Sequence, residues 1–152
     1  MNCNHLRAEA RIRGAGEFSA VRGRAEFRQC RRGVLVTVEV SGLPHREGNC
    51  ARDIFAMHIH SGGHCTGNAS DPFADVGAHY NPENCGHPNH AGDLPPLFGC
   101  GGYGYASFLT DRFRLEEVIG RSLILHEHLD DFTSQPGGNA GRKMACGEIR
   151  AL

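Results

Sequence analysis

Several residue types are scarce in this chain of 152 residues. There is no tryptophan, and Lys143 is the only lysine, so almost all of the positive charge is carried by arginine. No apolar run approaches the roughly 20 residues that a membrane helix needs, so we predict no membrane-spanning helix and no membrane partner. The opening residues MNCNHLRAEARIRG lack the apolar stretch of a signal peptide. We therefore expect a cytoplasmic protein, or an exported one if a signal was removed ahead of Met1.

Charge of one sign is also unevenly spread along the chain. The formal net charge is only −1, yet residues 1–33 hold eight arginines against three glutamates. A basic segment without interleaved aromatic residues is weak evidence for nucleic-acid binding. Solvated strand faces explain it better, so we predict no nucleic-acid partner.

Helix signals are nearly absent, whereas turn residues are abundant, with 21 glycines and 7 prolines. Segments with β-branched or alternating residues predict strands at 8–13, 20–27, 34–40, 53–60, 103–109, 121–126 and 145–152. At most one helical turn is expected, at 115–119. This pattern predicts one all-β domain over residues 1–152, a sandwich or barrel of about eight antiparallel strands.

Two spans show no convincing periodicity of either kind. The first runs from residue 61 to about residue 102 and holds five of the seven prolines, and the second runs from residue 130 to residue 141. A structureless loop as long as the first is uncommon in a compact domain unless it is functional. Its order must therefore come from something other than a sheet ladder.

Histidine is the residue type in excess, and six of the ten histidines lie between His58 and His90. Fifteen residues of the first irregular span contain His79, His87, His90 and Asp93. Three imidazoles and one carboxylate make a complete tetrahedral set for zinc, with no open position. Metal binding would also supply the order that this span lacks, because it contributes directly to folding.

A second group of histidines suits a different metal. His58 and His60 alternate with apolar residues in FAMHIHSG, and residues two apart on a strand share one face. His126, at the end of RSLILH, is available as a partner. Three or four imidazoles with an open position suit copper. Two ions with four ligands each need eight ligands, and the chain offers seven side chains. Seven are enough if one imidazole bridges both ions.

Five segments, in their order along the chain, resemble the copper–zinc superoxide dismutase family. They are HIHSGGHC, GAHYNP, HAGDLPPL, IGRSLILHEHLDD and GGNAGRKMACGEI. The resemblance runs from about residue 34 to the C-terminus, and the first thirty residues match only loosely. It implies a Greek-key β-sandwich or barrel with two long functional loops, one that binds metal and one of the electrostatic type.

The resemblance also implies a role for individual residues. It places copper on His58, His60, His79 and His126. It places zinc on His79, His87, His90 and Asp93, so that His79 bridges the two ions. Asp130 matches the carboxylate that hydrogen-bonds one histidine of each metal and orients both rings.

The seven cysteines extend this pattern. Cys65 and Cys146 match the disulfide of the family. Cys85 and Cys100 bracket the zinc segment, which is tighter than in the animal enzymes, and they are candidates for an extra bridge. An odd count leaves at least one cysteine unpaired within the chain, and the pairing of Cys3, Cys30, Cys50, Cys85 and Cys100 stays open.

The cation at the channel mouth departs from the family pattern. Lys143 stands where the family has an arginine, and Arg142 lies beside it. A lysine still attracts an anion but lacks the planar fork that positions it. Adjacent strand residues face opposite ways, so one of the two should dominate, and the spacing back from Cys146 favours Lys143.

The function that the resemblance implies is superoxide dismutation, an antioxidant oxidoreductase activity with copper and zinc as cofactors. Superoxide is the expected substrate, with His79, Lys143 and Arg142 as catalytic residues, and a homodimer is one form to expect. The alternative is a non-catalytic copper- and zinc-binding module of the same fold, such as a metal carrier or maturation factor. Loss of a copper ligand or of the channel cation would favour that alternative, and here every ligand is present.

Overall fold

Nine antiparallel strands make up the protein in a computed structural model, which describes residues 1–51 and 53–152. The strands are β1 (Cys3–Gly14), β2 (Arg22–Cys30), β3 (Gly33–Ser41), β4 (Ile54–Phe55), β5 (Met57–His60), β6 (Leu97–Cys100), β7 (Tyr103–Thr110), β8 (Ser122–His126) and β9 (Lys143–Ala151). A single helical turn, α1 (Leu115–Val118), precedes β8, and short 3-10 turns occur at Gly16–Phe18 and Ala74–Val76. No helix within the described part of the chain is long and apolar enough to cross a membrane.

The strands form one sheet in the order β4-β6-β7-β3-β2-β1-β9-β8-β5. Its two edge strands, β4 and β5, are separated only by Ala56. One chain segment therefore pairs with β6 on one side and with β8 on the other, which nearly closes a barrel. The pairing of β3 with β7 and of β1 with β9 joins strands that are distant in the chain, as Greek-key connections do.

The core follows from strict alternation along the longest strands. The sequence VLVTVEV in β3 turns its four valines inward and its polar residues outward. Ile12 from β1, Phe27 from β2 and Ile149 from β9 complete this part of the core, and each is at most 2% exposed. The metal ligands predicted from sequence lie outside this apolar interior, on the other side of β5 and β8.

The predicted all-β fold is confirmed, with two differences in its elements. The predicted strand at 53–60 is divided at Ala56, because its two halves pair with different neighbours. β6 lies inside the span that was expected to be irregular. Its sequence, LFGC, is short and follows two prolines, so its pairing with β7 and β4 cannot be seen from local periodicity.

Hydrogen bonds from distant residues order the long loop (residues 61–96). The side-chain amide of Gln135 makes two hydrogen bonds to the backbone of His87. Its Oε1 accepts from the His87 amide at 2.8 Å, and its Nε2 donates to the His87 carbonyl at 2.7 Å. Arg112 Nη1 donates to the carbonyls of Pro88 at 2.6 Å and His90 at 3.0 Å. Asn81 bonds both the amide and the carbonyl of Cys85, at 2.9 Å each.

Two disulfides tie the chain together. Cys65–Cys146 joins the long loop to β9, as the family resemblance implied, and Cys3–Cys30 joins opposite positions of β1 and β2. The candidate bridge between Cys85 and Cys100 is not formed, since both thiols are free and exposed. The hydrogen bonds to the loop backbone hold this tight segment instead. Cys50 is also free and exposed.

We predict that losing the Cys65–Cys146 bridge destabilises the protein more than losing Cys3–Cys30. A sequence separation of 81 corresponds to about 4–5 kcal/mol of chain entropy. A separation of 27 corresponds to about 3–4 kcal/mol, and the pairing of β1 with β2 already holds those ends together. Urea unfolding of the two paired cysteine-to-serine variants measures both losses. Equal losses would contradict the prediction, as would a count of free thiols other than three in the unreduced, unfolded chain.

Candidate metal centre

β5 presents two of the predicted ligands on one face. The other two residues of this strand belong to the barrel core, so alternation turns His58 and His60 toward the loops. His58 is fully buried and His60 is 3% exposed. Isolated antiparallel β-bridges pair His58 with Asp93 and His60 with His79, so the long loop runs alongside β5.

Four imidazoles meet at one end of this face. His126 ends β8, the strand that pairs with β5, and His79 comes from the long loop. The group consists of His58, His60, His79 and His126, and one ligand nitrogen from each lies within 4.8 Å of all the others. It offers nitrogen donors only.

A second group adds an oxygen donor. It contains His58, His79, His87 and Asp93, again with ligand atoms within 4.8 Å of one another. His90 reaches the same point, with its Nδ1 3.2 Å from Nδ1 of His79 and 3.3 Å from Oδ1 of Asp93. The structure therefore brings all seven side chains predicted from the sequence into two adjoining clusters that have His58 and His79 in common.

Backbone carbonyls orient two rings of the first cluster. Nδ1 of His60 donates to the Gly77 carbonyl at 2.7 Å, and Nδ1 of His126 donates to the Gly141 carbonyl at 3.3 Å. Burial holds the pKa of both histidines below the ordinary 6.5, so each ring carries one proton, which sits on Nδ1. Their Nε2 atoms, 3.3 Å apart, then face each other as two lone-pair donors.

Asp130 orients one ring of each cluster. Its Oδ2 accepts from Nε2 of His58 at 2.8 Å, and its Oδ1 accepts from Nε2 of His87 at 2.7 Å. Because a carboxylate only accepts, both rings carry their proton on Nε2. Nδ1 of His58 and Nδ1 of His87 are then lone-pair donors, and both are buried without a hydrogen-bond partner.

These unpartnered donors fit metal ions. Nδ1 of His87 lies 3.0 Å from Oδ2 of Asp93, and in the tautomer set by Asp130 no proton stands between them. Burial alone would raise the pKa of Asp93, but the hydrogen bond from His79 and the nearby imidazoles outweigh burial and lower it. A buried carboxylate is therefore in contact with a buried nitrogen lone pair. A bound cation would satisfy both groups.

The two candidate channel cations take different positions. Lys143 lies directly opposite His126 in the pairing of β8 with β9, and its Nζ donates to Oδ2 of Asp71 at 2.6 Å. Arg142 turns outward, where its side chain is 62% exposed and pairs with Glu127 at 2.8 Å and with Glu17. Lys143 is therefore the cation beside the first cluster.

Several residues that shape the centre were not predicted from the sequence. Gln135 and Arg112 hold the loop that carries the zinc-type ligands, and the carbonyls of Gly77 and Gly141 set two tautomers. Asp71 pairs with Lys143. None of them has a local sequence signal, because each acts on a residue far away in the chain or through its backbone.

Known proteins are similar to this chain over most of its length. A family model described as copper/zinc superoxide dismutase matches residues 21–149. The superoxide dismutase [Cu-Zn] of Deinococcus radiodurans is 32% identical over 153 residues, covering 87% of this chain and 79% of that protein. Superoxide dismutase [Cu-Zn] 2 of Aquifex aeolicus is 32% identical, covering 84% and 78%. The extracellular superoxide dismutase [Cu-Zn] of Drosophila melanogaster is also 32% identical, covering 85% and 75%.

The family match spans most of the barrel and both loops, and the ligands implied by the resemblance converge in space as metal binding requires. With two buried, unpartnered imidazole nitrogens at the centre, copper and zinc are the cofactors that these donor sets accommodate. The chain therefore belongs to the copper/zinc superoxide dismutase family.

Proposed function

We propose that the protein is a superoxide dismutase with two adjoining metal sites. Copper is held by His58, His60, His79 and His126. Zinc is held by His79, His87, His90 and Asp93. The observation that carries this proposal is that the two clusters adjoin and have His58 and His79 in common. Nε2 of His58 is engaged by Asp130, which leaves His58 one nitrogen for a metal, so His79 is the imidazole that would bridge two unlike ions.

The donor sets support the assignment of each metal. The cluster with four imidazoles suits copper, and a cluster with three imidazoles and a carboxylate is a closed zinc set. Overall, two superoxide anions and two protons yield one O₂ and one H₂O₂. Copper, when bound, supplies the one-electron oxidation and reduction that link the two superoxide anions.

His79 is the residue proposed to carry a proton between the two half-reactions. Its Nδ1 is engaged on the zinc side, 2.8 Å from Oδ1 of Asp93. Its Nε2 is therefore the atom that can take up a proton on the copper side and donate it to the product. The side chain of His79 is only 9% exposed, so the surrounding protein holds the ring in place.

Lys143 is proposed to guide the anion. Its side chain is 20% exposed beside His126, so its ammonium group borders the first cluster without being sealed from solvent. A positive charge at such an entrance raises the local concentration of anions and their rate of arrival. The side chain of Arg142 is 62% exposed and is paired with Glu17 and Glu127, so we assign it the lesser role.

The non-catalytic alternative is less well supported. A carrier must release its metal, so it would not need a bridging imidazole shared by two sites or a cation beside the open donor set. All seven ligand side chains and the cation are present together, and the relatives of this chain are named as dismutases.

The compartment and the assembly state are also proposals. Relatives include a protein named extracellular, and disulfides persist best in oxidising compartments. The two bridges of this chain therefore favour the exported alternative over the cytoplasmic one. A homodimer stays our expectation for the assembly, and sedimentation equilibrium of the metal-loaded protein measures it.

The first test of the function joins metal analysis with an activity assay. The purified, metal-loaded chain should hold about one copper and one zinc and should dismutate superoxide. His79→Gln should lower both the copper affinity and the turnover, at least tenfold for the affinity, as is typical when a ligand or its support is lost. His128→Gln, at an exposed histidine outside both clusters, is the matched control and should change neither. Zinc filling both sites after copper loading would overturn the dismutase proposal.

The second test concerns acid. Burial lowers the pKa of His126 from 6.5 to about 4 and the pKa of His58 to about 2. The unfolded chain therefore binds more protons than the folded one below pH 6.5, and stability rises with pH across that range. We predict that the metal-free protein loses stability as pH falls from about 6.5 to about 4, measured by urea unfolding. Metal-free His126→Gln should show a shallower loss, and identical slopes for the two proteins would contradict this.

The third test separates the two cations. Lys143→Glu should lower kcat/KM sharply, whereas Lys143→Arg should stay within a few-fold of the wild type. The loss should shrink as salt is added, because charges are screened beyond a Debye length of about 10 Å at 0.1 M. Arg142→Ala should cost less than Lys143→Ala, since Arg142 turns outward and is paired with two acids, Glu17 and Glu127. Equal and small losses from both alanine variants would mean that neither residue guides the substrate.

A further inference from the structure

The only lysine of the chain is paired with an acid. Nζ of Lys143 lies 2.6 Å from Oδ2 of Asp71, a short charge-assisted hydrogen bond. The Lys143 side chain is 20% exposed and that of Asp71 is 36% exposed, so the pair lies at the edge of the protein interior. Asp71 comes from the long loop, 72 residues before Lys143.

The loop backbone fixes Asp71 in this position. Oδ1 accepts from the amide of Phe73 at 3.0 Å, which leaves Oδ2 for Lys143. Its carbonyl accepts from the amides of Asn68 at 2.9 Å and Ala74 at 3.1 Å. The nearby Cys65–Cys146 bridge ties the same loop to β9, the strand that begins with Lys143. The acid is thus held in place before any ligand arrives.

The pair lies beside the first metal cluster. Lys143 is directly opposite His126 in the pairing of β8 with β9, and Asp71 is bonded to Lys143. Burial alone would raise the pKa of Asp71, but the hydrogen bonds from Lys143 and from the Phe73 amide, together with the charge of Lys143, outweigh burial and lower it, so the carboxylate is charged at neutral pH. An anion that approaches His126 therefore meets a positive and a negative charge side by side.

We infer that Asp71 sets the rate of anion capture by cancelling most of the positive charge of Lys143 at the entrance to the copper-type cluster. This inference rests on the proposed dismutase function. Asp71 does not touch the substrate in this account; it acts as a positioning residue through Lys143. The pair as found has a net charge near zero, which weakens long-range attraction, while the remaining N–H donors of Lys143 stay available to an anion that has arrived.

The inference predicts an order of rates set by the net charge of the pair. Asp71→Asn leaves the pair at +1, the wild type and the double variant Asp71→Asn/Lys143→Gln are neutral, and Lys143→Gln leaves −1. At low ionic strength, each unit of charge should change kcat/KM by about two- to fivefold. Asp71→Asn should be fastest, Lys143→Gln slowest, and the double variant should recover most of the loss. Asparagine keeps an oxygen for the Phe73 amide, so the loop retains its anchor.

Two further measurements make the test specific. The salt dependence of kcat/KM should be steepest in Asp71→Asn and should flatten or change sign in Lys143→Gln. The dissociation constant of azide, titrated at constant ionic strength against the copper absorption of the loaded protein, should follow the same order without any turnover. Asp75→Asn is the matched control, because it removes the same charge from the same loop at a carboxylate that accepts from Thr66 instead of pairing with Lys143.

The outcomes separate this inference from the proposed function. If Asp71 only props up Lys143, Asp71→Asn will be slower than the wild type and the double variant no faster than Lys143→Gln, which overturns the inference. An effect of Asp75→Asn as large as that of Asp71→Asn overturns it as well, because the effect would then be one of overall charge. If the wild type does not dismutate superoxide, the proposed function fails, while the order of azide affinities still tests the role of Asp71.

Discussion

The carboxylate of Asp130 is the interaction on which the two halves of the metal centre depend. It accepts from His58 on β5 and from His87 on the long loop, so one group fixes a ring in each cluster. Gly138 makes this possible. Its φ is +73°, and a Cβ there would lie 2.0 Å from Oδ1 of Asp130. The second loop (residues 127–142) can therefore close over the centre only with glycine at this position.

The centre concentrates lone pairs that repel one another without a cation. Nε2 of His60 faces Nε2 of His126, and Nδ1 of His87 faces the carboxylate of Asp93. The barrel core is formed without these residues, so it can fold while the loops over β5 still lack their ions. The free energy of metal binding then chiefly stabilises the ordered conformation of the two loops. This division explains how a rigid barrel carries loops that are so rich in glycine and proline.

The ionisable groups around the centre lie at three depths between the interior and the surface. The innermost histidines are neutral because burial lowers their pKa. Lys143 and Asp71 form a half-buried pair at the boundary, and Arg142 lies on the surface with two acids. An approaching anion is therefore influenced most by the boundary pair, where the charge is neither fully screened by solvent nor sealed in the interior.

The all-β class, most of the strands and the seven side chains proposed as metal ligands could be predicted from the sequence, because alternation and short ligand spacings are local properties. His58 and His60 share a face simply because they are two residues apart on a strand. Three features follow from the tertiary structure alone: β6 pairs between β4 and β7, Cys3 bonds Cys30 while Cys85 stays free, and Lys143 is neutralised by an acid. Each of these depends on contacts between segments far apart in the chain. Whether two such groups meet is set by how the strands and loops close on one another, which no local pattern records.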